Sequence, residues 1–182
     1  DKNGILIFDD VQRGHSWTRH FYNFMFTMAG KGNISGCWTS TSTRGAGIIS
    51  WLRMSGIHWY DSVATFTPVG YGGLGSTGYG IVVGTGDTAF STADYKLDAL
   101  IASGNGSGQL AYSAEAAATI VYTAGPKTWG ATRYRIFNNN SGGSITVKET
   151  GLVGYAFDSC LYERSVLSPT GAVVYGAQLT VA

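Results

Sequence analysis

The feature that most constrains the fold of this chain is a series of short, β-tolerant segments, each ended by a cluster of Gly, Asn or Ser. The clearest case is YRIFNNNSGGSITVKETGLVG, residues 134–154. Both flanks of this stretch tolerate an extended backbone, and the Asn, Ser and Gly residues between them readily supply the positive-φ positions of a turn. The pattern predicts a β-hairpin in which Ile136 faces Ile145 and Tyr134 faces Val147.

The predicted hairpin has one apolar face and one polar face, as expected for an antiparallel sheet that is solvated on one side. In this register Arg133, Arg135 and Lys148 point into solvent. Glu149 follows the alternation onto the apolar face, where a buried carboxylate needs a partner. Arg164 and Arg133 are the candidate partners, and we expect a structural ion pair rather than a catalytic carboxylate.

Further segments with strand character follow at a spacing typical of sandwiches and jelly rolls. They lie at 81–83, 109–124, 160–169 and 172–182, with one possible helical turn at 94–101. Together they suggest six to eight strands in the second half of the chain. We therefore predict an all-β fold: an antiparallel β-sandwich, jelly-roll-like, preceded by an aromatic-rich N-terminal segment.

The glycine run GYGGLGSTGYG at 70–80 is the best candidate for a domain boundary, as a flexible or tightly turning segment. It separates a predicted β-sandwich domain at 81–182 from residues 1–69, predicted to be an N-terminal docking or extension segment. Within the latter, the period of residues 15–28 leaves a strand and a short helix open.

Residues 1–69 hold four of the five tryptophans and all three histidines, yet their strand pattern is poor. An apolar segment that cannot close its own core usually buries its surface against something else. The predicted assembly or docking residues are aromatic: Trp17, Phe21, Phe24, Trp38, Trp51, Trp59 and Tyr60.

Sequence motifs argue against catalytic, cofactor and metal chemistry. The G-x-G-x-x-G match at 73–78 precedes a strand, whereas a dinucleotide site requires a helix at that point. His15 and His20 are five residues apart, and no ligand cluster with zinc spacing joins them. Residues 87–94 lack the alternate oxygen ligands of a calcium loop. We expect a protein that is not an enzyme, with no catalytic, cofactor-binding or metal-binding residues.

Charged residues make up only 13% of the chain, against ~25% in an average soluble domain, and the net charge is +1. No basic cluster indicates a nucleic-acid partner, and the apolar run at 21–30 is too short to span a bilayer. A surface rich in Ser, Thr, Asn and Tyr suits permanent contact with neighbours or polar recognition. We therefore expect a homo-oligomer or part of a larger assembly, with carbohydrate or receptor binding through exposed Trp and Tyr as the alternative.

The two cysteines, Cys37 and Cys160, are too distant in sequence for a metal or redox motif. A single disulfide between them is one interpretation. Two buried thiols are the favoured one.

Three segments, in this order, resemble a C-terminal β-sandwich module of virion structural proteins from tailed bacteriophages. They are IVVGTGDTAFSTADYKL at 81–97, ITVKETGL at 145–152 and LYERSVLSPTGAVVYGAQLTVA at 161–182. The resemblance implies a location in the virion, in capsid decoration, a head fibre or a tail-associated part.

The resemblance also implies that the motif residues form a structural framework rather than a catalytic set. The partners it implies are further copies of the chain and other virion proteins, and a host surface glycan in the alternative. The framework residues are Asp87, Asp94, Tyr95, Glu149, Gly151 and Arg164.

Overall fold

The computed structural model describes residues 17–30, 34–37, 47–49, 72–117, 119–155 and 159–182. Strands account for 45% of the structure. Every paired strand among the described residues is antiparallel, so the all-β prediction is confirmed. The elements are α1 (Arg19–Gly30), β1 (Ile34–Cys37), β2 (Gly47–Ile49), β3 (Gly80–Gly84), β4 (Ala111–Tyr112), β5 (Thr119–Thr123), β6 (Thr128–Thr132), β7 (Arg135–Asn138), β8 (Ile145–Tyr155), β9 (Ser159–Val173) and β10 (Gln178–Val181).

The described strands form two three-stranded sheets, in the orders β3-β8-β9 and β10-β7-β4, and two isolated pairs, β1-β2 and β5-β6. The hairpin predicted at 134–154 is therefore wrong. β7 pairs with β4 and β10, and β8 pairs with β3 and β9. Alternation identified both strands correctly, but it does not specify which strands pair.

Asn139 shows how the chain passes from one sheet to the other between β7 and β8. Its buried amide group donates to the backbone oxygens of Gly143, at 2.8 Å, and Val173, at 2.5 Å. Its side-chain oxygen accepts from the backbone nitrogen of Ser141 at 3.0 Å. The Asn- and Gly-rich stretch is thus a fixed crossing between sheets.

The main core draws its side chains from strands of both three-stranded sheets. Tyr112 and Phe137 meet edge to face with ring centroids 4.8 Å apart. Burial of such apolar surface stabilises the fold by ~25 cal/mol per Å². The buried members are Ile81, Val83, Ile101, Leu110, Tyr112, Phe137, Ile145, Val147, Val173 and Ala177.

A second, smaller apolar cluster covers the opposite face of β3-β8-β9. It consists of Val82, Leu97, Val153 and Leu161. Leu97 comes from the loop at 85–99. The Thr85 backbone nitrogen donates to the Ala99 carbonyl and closes the loop, and Ile101, just after it, donates to the Val83 carbonyl of β3. The loop contains turns but no helix, so the helical turn suggested at 94–101 is wrong.

Helix α1 resolves the ambiguity in the aromatic segment at 15–28. Thr18 begins it, since its carbonyl accepts from Phe21 and Tyr22 and its hydroxyl donates to the Leu161 carbonyl at 2.5 Å. The Thr18 backbone nitrogen also bonds to the Tyr162 carbonyl at 2.8 Å. The start of α1 is therefore anchored on β9.

The described part of the glycine run, 72–80, is tightly turned and bonded to neighbouring strands. Gly72 donates to the Glu115 carboxylate at 3.0 Å and accepts from its backbone nitrogen at 2.9 Å. Gly75 has a φ of 74° and donates to the Tyr112 carbonyl at 3.0 Å. Of the two interpretations offered for this run, these contacts favour the tight turn. The division of the chain into 1–69 and 81–182 remains a prediction.

His20 makes the packing of α1 against the rest of the fold sensitive to pH. Its side chain is buried, and burial lowers its pKa from 6.5 to about 4, with a hydrogen bond to the Leu161 backbone opposing that shift and Arg19 adding to it. Between these two pH values the unfolded chain binds more protons than the folded one, so stability falls as the pH drops from 6.5 towards 4. The loss is at most roughly 3 kcal/mol.

We expect urea unfolding at pH 7.5 and pH 4.5 to show this loss in the wild type. The variant His20→Gln has no titrating group at this position, so its stability should change less over the same interval. An equal pH dependence in both proteins would contradict the role of His20.

Candidate functional site

The most elaborate polar cluster among the described residues surrounds Arg164 on β9. Its side chain is nearly fully buried beneath the loop at 85–99. Nε donates to Glu149 Oε2 at 2.7 Å, Nη1 to Asp94 Oδ2 at 2.9 Å, and Nη2 to the Thr88 carbonyl at 3.0 Å. Burial alone lowers the pKa of Arg164, but the hydrogen bonds and charges of the two carboxylates outweigh it and raise the pKa overall.

Glu149 ties the same loop to the sheet. Its carboxylate accepts from the backbone nitrogens of Gly86 at 3.2 Å, Asp98 at 3.1 Å and Ala99 at 2.8 Å. Together with Arg164 these donors occupy both carboxylate oxygens. Of the two partners predicted for Glu149, Arg164 is the one with which it pairs, whereas Arg133 pairs with Glu115. The Glu149 carboxylate has the contacts of a structural anchor.

A break in the β8–β9 pairing coincides with a change in the face of the sheet that β8 side chains occupy. The register shifts between Val147, which pairs with Gly171, and Glu149, which pairs with Val166. Val147 belongs to the main core, but Glu149 lies against Gly84, on the face of the sheet that carries Val82. The expectation that Glu149 shares the face of Val147 is therefore wrong, because the alternation does not continue through this break.

The other predicted framework residues lie around this network. Asp94 also caps its own turn, accepting from the Ser91 backbone nitrogen at 3.0 Å. Gly151 leaves room for neighbours, since a Cβ atom there would lie 2.8 Å from Leu97 and 2.9 Å from Leu161. The structure thus brings the motif residues of all three resembling segments together.

Asp87 and Tyr95 lie at the surface of the same region. Asp87 is exposed and bonds to Lys148 Nζ at 2.8 Å, which lowers the pKa of the Asp87 carboxyl. The half-buried Tyr95 ring has Lys96 Nζ 5.9 Å from its centroid. An exposed ion pair of the Asp87 kind contributes little to stability.

A cleft of about 330 Å³ opens beside Arg164 and is lined mainly by the loop at 85–99. Asp94 and Arg164 link it to the buried network, and Lys96 and Asp98 add exposed charges. The lining residues are Thr88, Ala93, Asp94, Tyr95, Lys96, Leu97, Asp98 and Arg164.

A second polar cluster, around Arg135 on β7, was not foreseen from the sequence. Arg135 is completely buried, so its predicted exposure to solvent is wrong. Its guanidinium donates to four backbone carbonyls and lies 4.8 Å from the ring centroid of Tyr112. Burial lowers the pKa of Arg135, while the charge of Glu115 and the interaction with Tyr112 oppose that shift. Glu115 in turn pairs with Arg133 and accepts from the Ile81 backbone nitrogen.

Only part of the predicted docking set lies within the described residues. Trp17 is 39% exposed and stacks on Phe21 at 4.1 Å, and Phe21 meets Tyr162 edge to face at 6.1 Å. The Phe21 ring therefore contacts strand β9 of the same chain, and the Trp17 ring stacks on Phe21. Phe24 lies in α1, with a side chain outside the described atoms. Trp38, Trp51, Trp59 and Tyr60 lie outside the described residues.

Cys160 carries a buried thiol, in agreement with the favoured interpretation of the cysteines, and the Cys37 side chain is outside the described atoms. Within the described ranges, no group of three or more His, Cys, Asp or Glu side chains is arranged to hold a metal ion. None of the helical segments described is long and apolar enough to cross a membrane.

The chain matches no known protein family, and comparison with curated proteins and with solved structures finds no similar protein.

Proposed function

We propose that this chain is a non-enzymatic structural protein that assembles with copies of itself or with neighbouring proteins, and that its setting is a virus particle. The observation that carries the proposal of assembly is the hairpin β5-β6. The viral setting, and with it a location in the virion, is supported by the resemblance of the segments within 81–182.

Every residue of the β5-β6 hairpin whose burial the structure describes is exposed to solvent. Val121 is 55% exposed and Tyr122 is 48% exposed, on neighbouring positions that face opposite sides of a strand. A lone two-stranded hairpin is marginally stable in water at best. Apolar side chains on both faces therefore favour a partner that covers them.

The edges of this hairpin carry few of the features that prevent strand pairing. Between Thr119 and Thr132 the only charged residue is Lys127, in the turn, and the only proline is Pro126, also in the turn. Exposed edges without charges or prolines readily accept another strand. We propose that β5 or β6 pairs with a strand of a neighbouring subunit, in the manner of β-augmentation.

The buried polar groups support a structural role as well. Arg164, Glu149 and Arg135 direct their hydrogen bonds to backbone and carboxylate groups of the same chain. Groups committed to such contacts hold loops in place and are poorly disposed to transfer protons to a ligand. The finer fold we propose is a β-sandwich, since the two three-stranded sheets contribute to one apolar core.

The test of assembly is sedimentation of the wild type and of the double variant Val121→Lys, Tyr122→Lys. We expect oligomers for the wild type and a dissociated chain for the double variant, because lysine on both faces opposes apolar contact and strand pairing. Circular dichroism should show unchanged strand content in the double variant.

The matched control is Leu74→Lys with Tyr175→Lys, which adds the same charge at side chains that are 83% and 61% exposed, outside the hairpin. This control should sediment like the wild type. A wild type that stays monomeric at high concentration, with no partner, would refute the proposal of self-assembly. Equal dissociation of both double variants would show that the hairpin is not the assembly surface.

A further inference from the structure

We infer that the cleft beside Arg164 is a binding site for a single sugar ring of a neutral saccharide. The inference concerns a surface separate from the β5-β6 hairpin and does not depend on assembly. It rests on the cleft's polar groups, its balance of charge and its size.

The first support is the arrangement of acceptors around an aromatic ring. The contacts that hold Asp94 within the described residues use Oδ2, which leaves Oδ1 to accept a hydroxyl hydrogen. Asp98 is held in place through its backbone nitrogen, so its exposed carboxylate is positioned and still able to accept hydrogen bonds. Tyr95 lies between them in sequence and lines the same cleft. Carboxylates that accept from hydroxyl groups, beside an aromatic ring, suit the mixed polar and C–H surface of a sugar.

The second support is electrostatic. The charged residues that line the cleft are Asp94, Asp98, Lys96 and Arg164. Arg164 is already paired with Asp94 and with the buried Glu149, and the two exposed side chains, Lys96 and Asp98, carry opposite charges. A cation or an anion would therefore meet one exposed charge of its own sign for each opposite one. A neutral ligand that both donates and accepts hydrogen bonds can use Lys96 and the carboxylates of Asp94 and Asp98.

The third support is size and preorganisation. A volume of about 330 Å³ is at the lower end of the ~300–1,000 Å³ that small-molecule sites occupy, which favours one ring over a long chain. The buried pair of Arg164 and Glu149 fixes the floor, and three backbone bonds to Glu149 fix the loop. A site that is already ordered loses little entropy when it binds.

The test is a titration of the full chain with methyl glycosides of glucose, galactose, mannose and N-acetylglucosamine, followed through backbone amide signals. We expect at least one glycoside to cause saturable shifts in the amides of residues 93–98, with a millimolar dissociation constant. Asp98→Ala should weaken this binding by about tenfold, and Tyr95→Leu should weaken it by a similar factor.

Asp87→Ala is the matched control, since it removes an exposed carboxylate of the same loop that does not line the cleft. Binding by this variant, and by the Val121→Lys, Tyr122→Lys double variant, should equal that of the wild type. The inference fails if no glycoside shifts these amides saturably, or if Asp98→Ala binds as well as Asp87→Ala. It also fails if acetate, phosphate or calcium chloride produces the same saturable shifts, since the cleft would then be an ion site.

Discussion

Glu149→Gln is expected to lower the free energy of unfolding by about 3–5 kcal/mol, the usual cost of removing one partner from a buried ion pair. The substitution keeps the shape of the side chain. It removes the negative charge opposite Arg164 and replaces one acceptor oxygen with a donor that faces backbone N–H groups. Urea unfolding at neutral pH, followed by circular dichroism, measures the change.

Asp87→Asn provides the surface counterpart, because Asp87 forms an exposed pair with Lys148. Its effect on stability should be far smaller than that of Glu149→Gln, because solvent screens an exposed pair. Combining Glu149→Gln with Arg164→Met removes both charges, so the double variant should lose less stability than the two single losses added together. A loss below ~1 kcal/mol for Glu149→Gln would show that this network does not stabilise the loop at 85–99.

The second large effect is expected for Arg135→Met, which keeps an unbranched apolar side chain and removes every donor of the guanidinium. The carbonyls of Gly73, at 2.8 Å, and Ile81, at 2.9 Å, then lose charged hydrogen bonds within the protein. A single buried acceptor left unpaired costs ~1–3 kcal/mol, and four carbonyls bond to this side chain. We expect a total loss of about 3 kcal/mol or more.

The same variant should loosen residues 72–80 selectively. Hydrogen exchange at the Gly75 amide, which bonds to the Tyr112 carbonyl at 3.0 Å, is the local readout. Arg19→Met is the matched control, since Arg19 is exposed and its removal should leave both stability and exchange nearly unchanged. Unchanged exchange at Gly75 in Arg135→Met would mean that the glycine run is held without the arginine.

The buried network was partly predictable because of what a carboxylate requires. Alternation predicted that Glu149 is buried and needs a cation, and Arg164 was one of two candidates. The face of the sheet on which Glu149 is buried was not predictable, since period-2 reasoning assumes unbroken pairing and the β8–β9 register breaks after Val147. Arg135 was predicted to face solvent, and its buried polar cluster was not foreseen, because the sequence does not show which groups surround it. Its acceptors are carbonyls of the distant glycine run and of β3, which sequence alternation does not reveal.

The strands themselves were easier to find than their partners. Residues 81–83, 145–147 and 160–169 were predicted as strands, and they lie in β3, β8 and β9. The segment at 109–124 was read as one strand or a pair, but its second part pairs with β6 rather than with β4. Local propensity reports on backbone conformation, whereas pairing depends on contacts made far away in the chain.

The contact between the start of α1 and strand β9 can form only late in synthesis. The hydroxyl of Thr18 bonds to a carbonyl 143 positions further along the chain. At typical ribosomal rates of ~5–20 residues per second, roughly 7–30 seconds separate the emergence of these two groups. Throughout that interval the Phe21 ring lacks the Tyr162 ring of β9 that it meets in the folded chain. The nascent chain therefore presents an uncovered aromatic surface to chaperones and to neighbouring nascent chains until β9 leaves the ribosome.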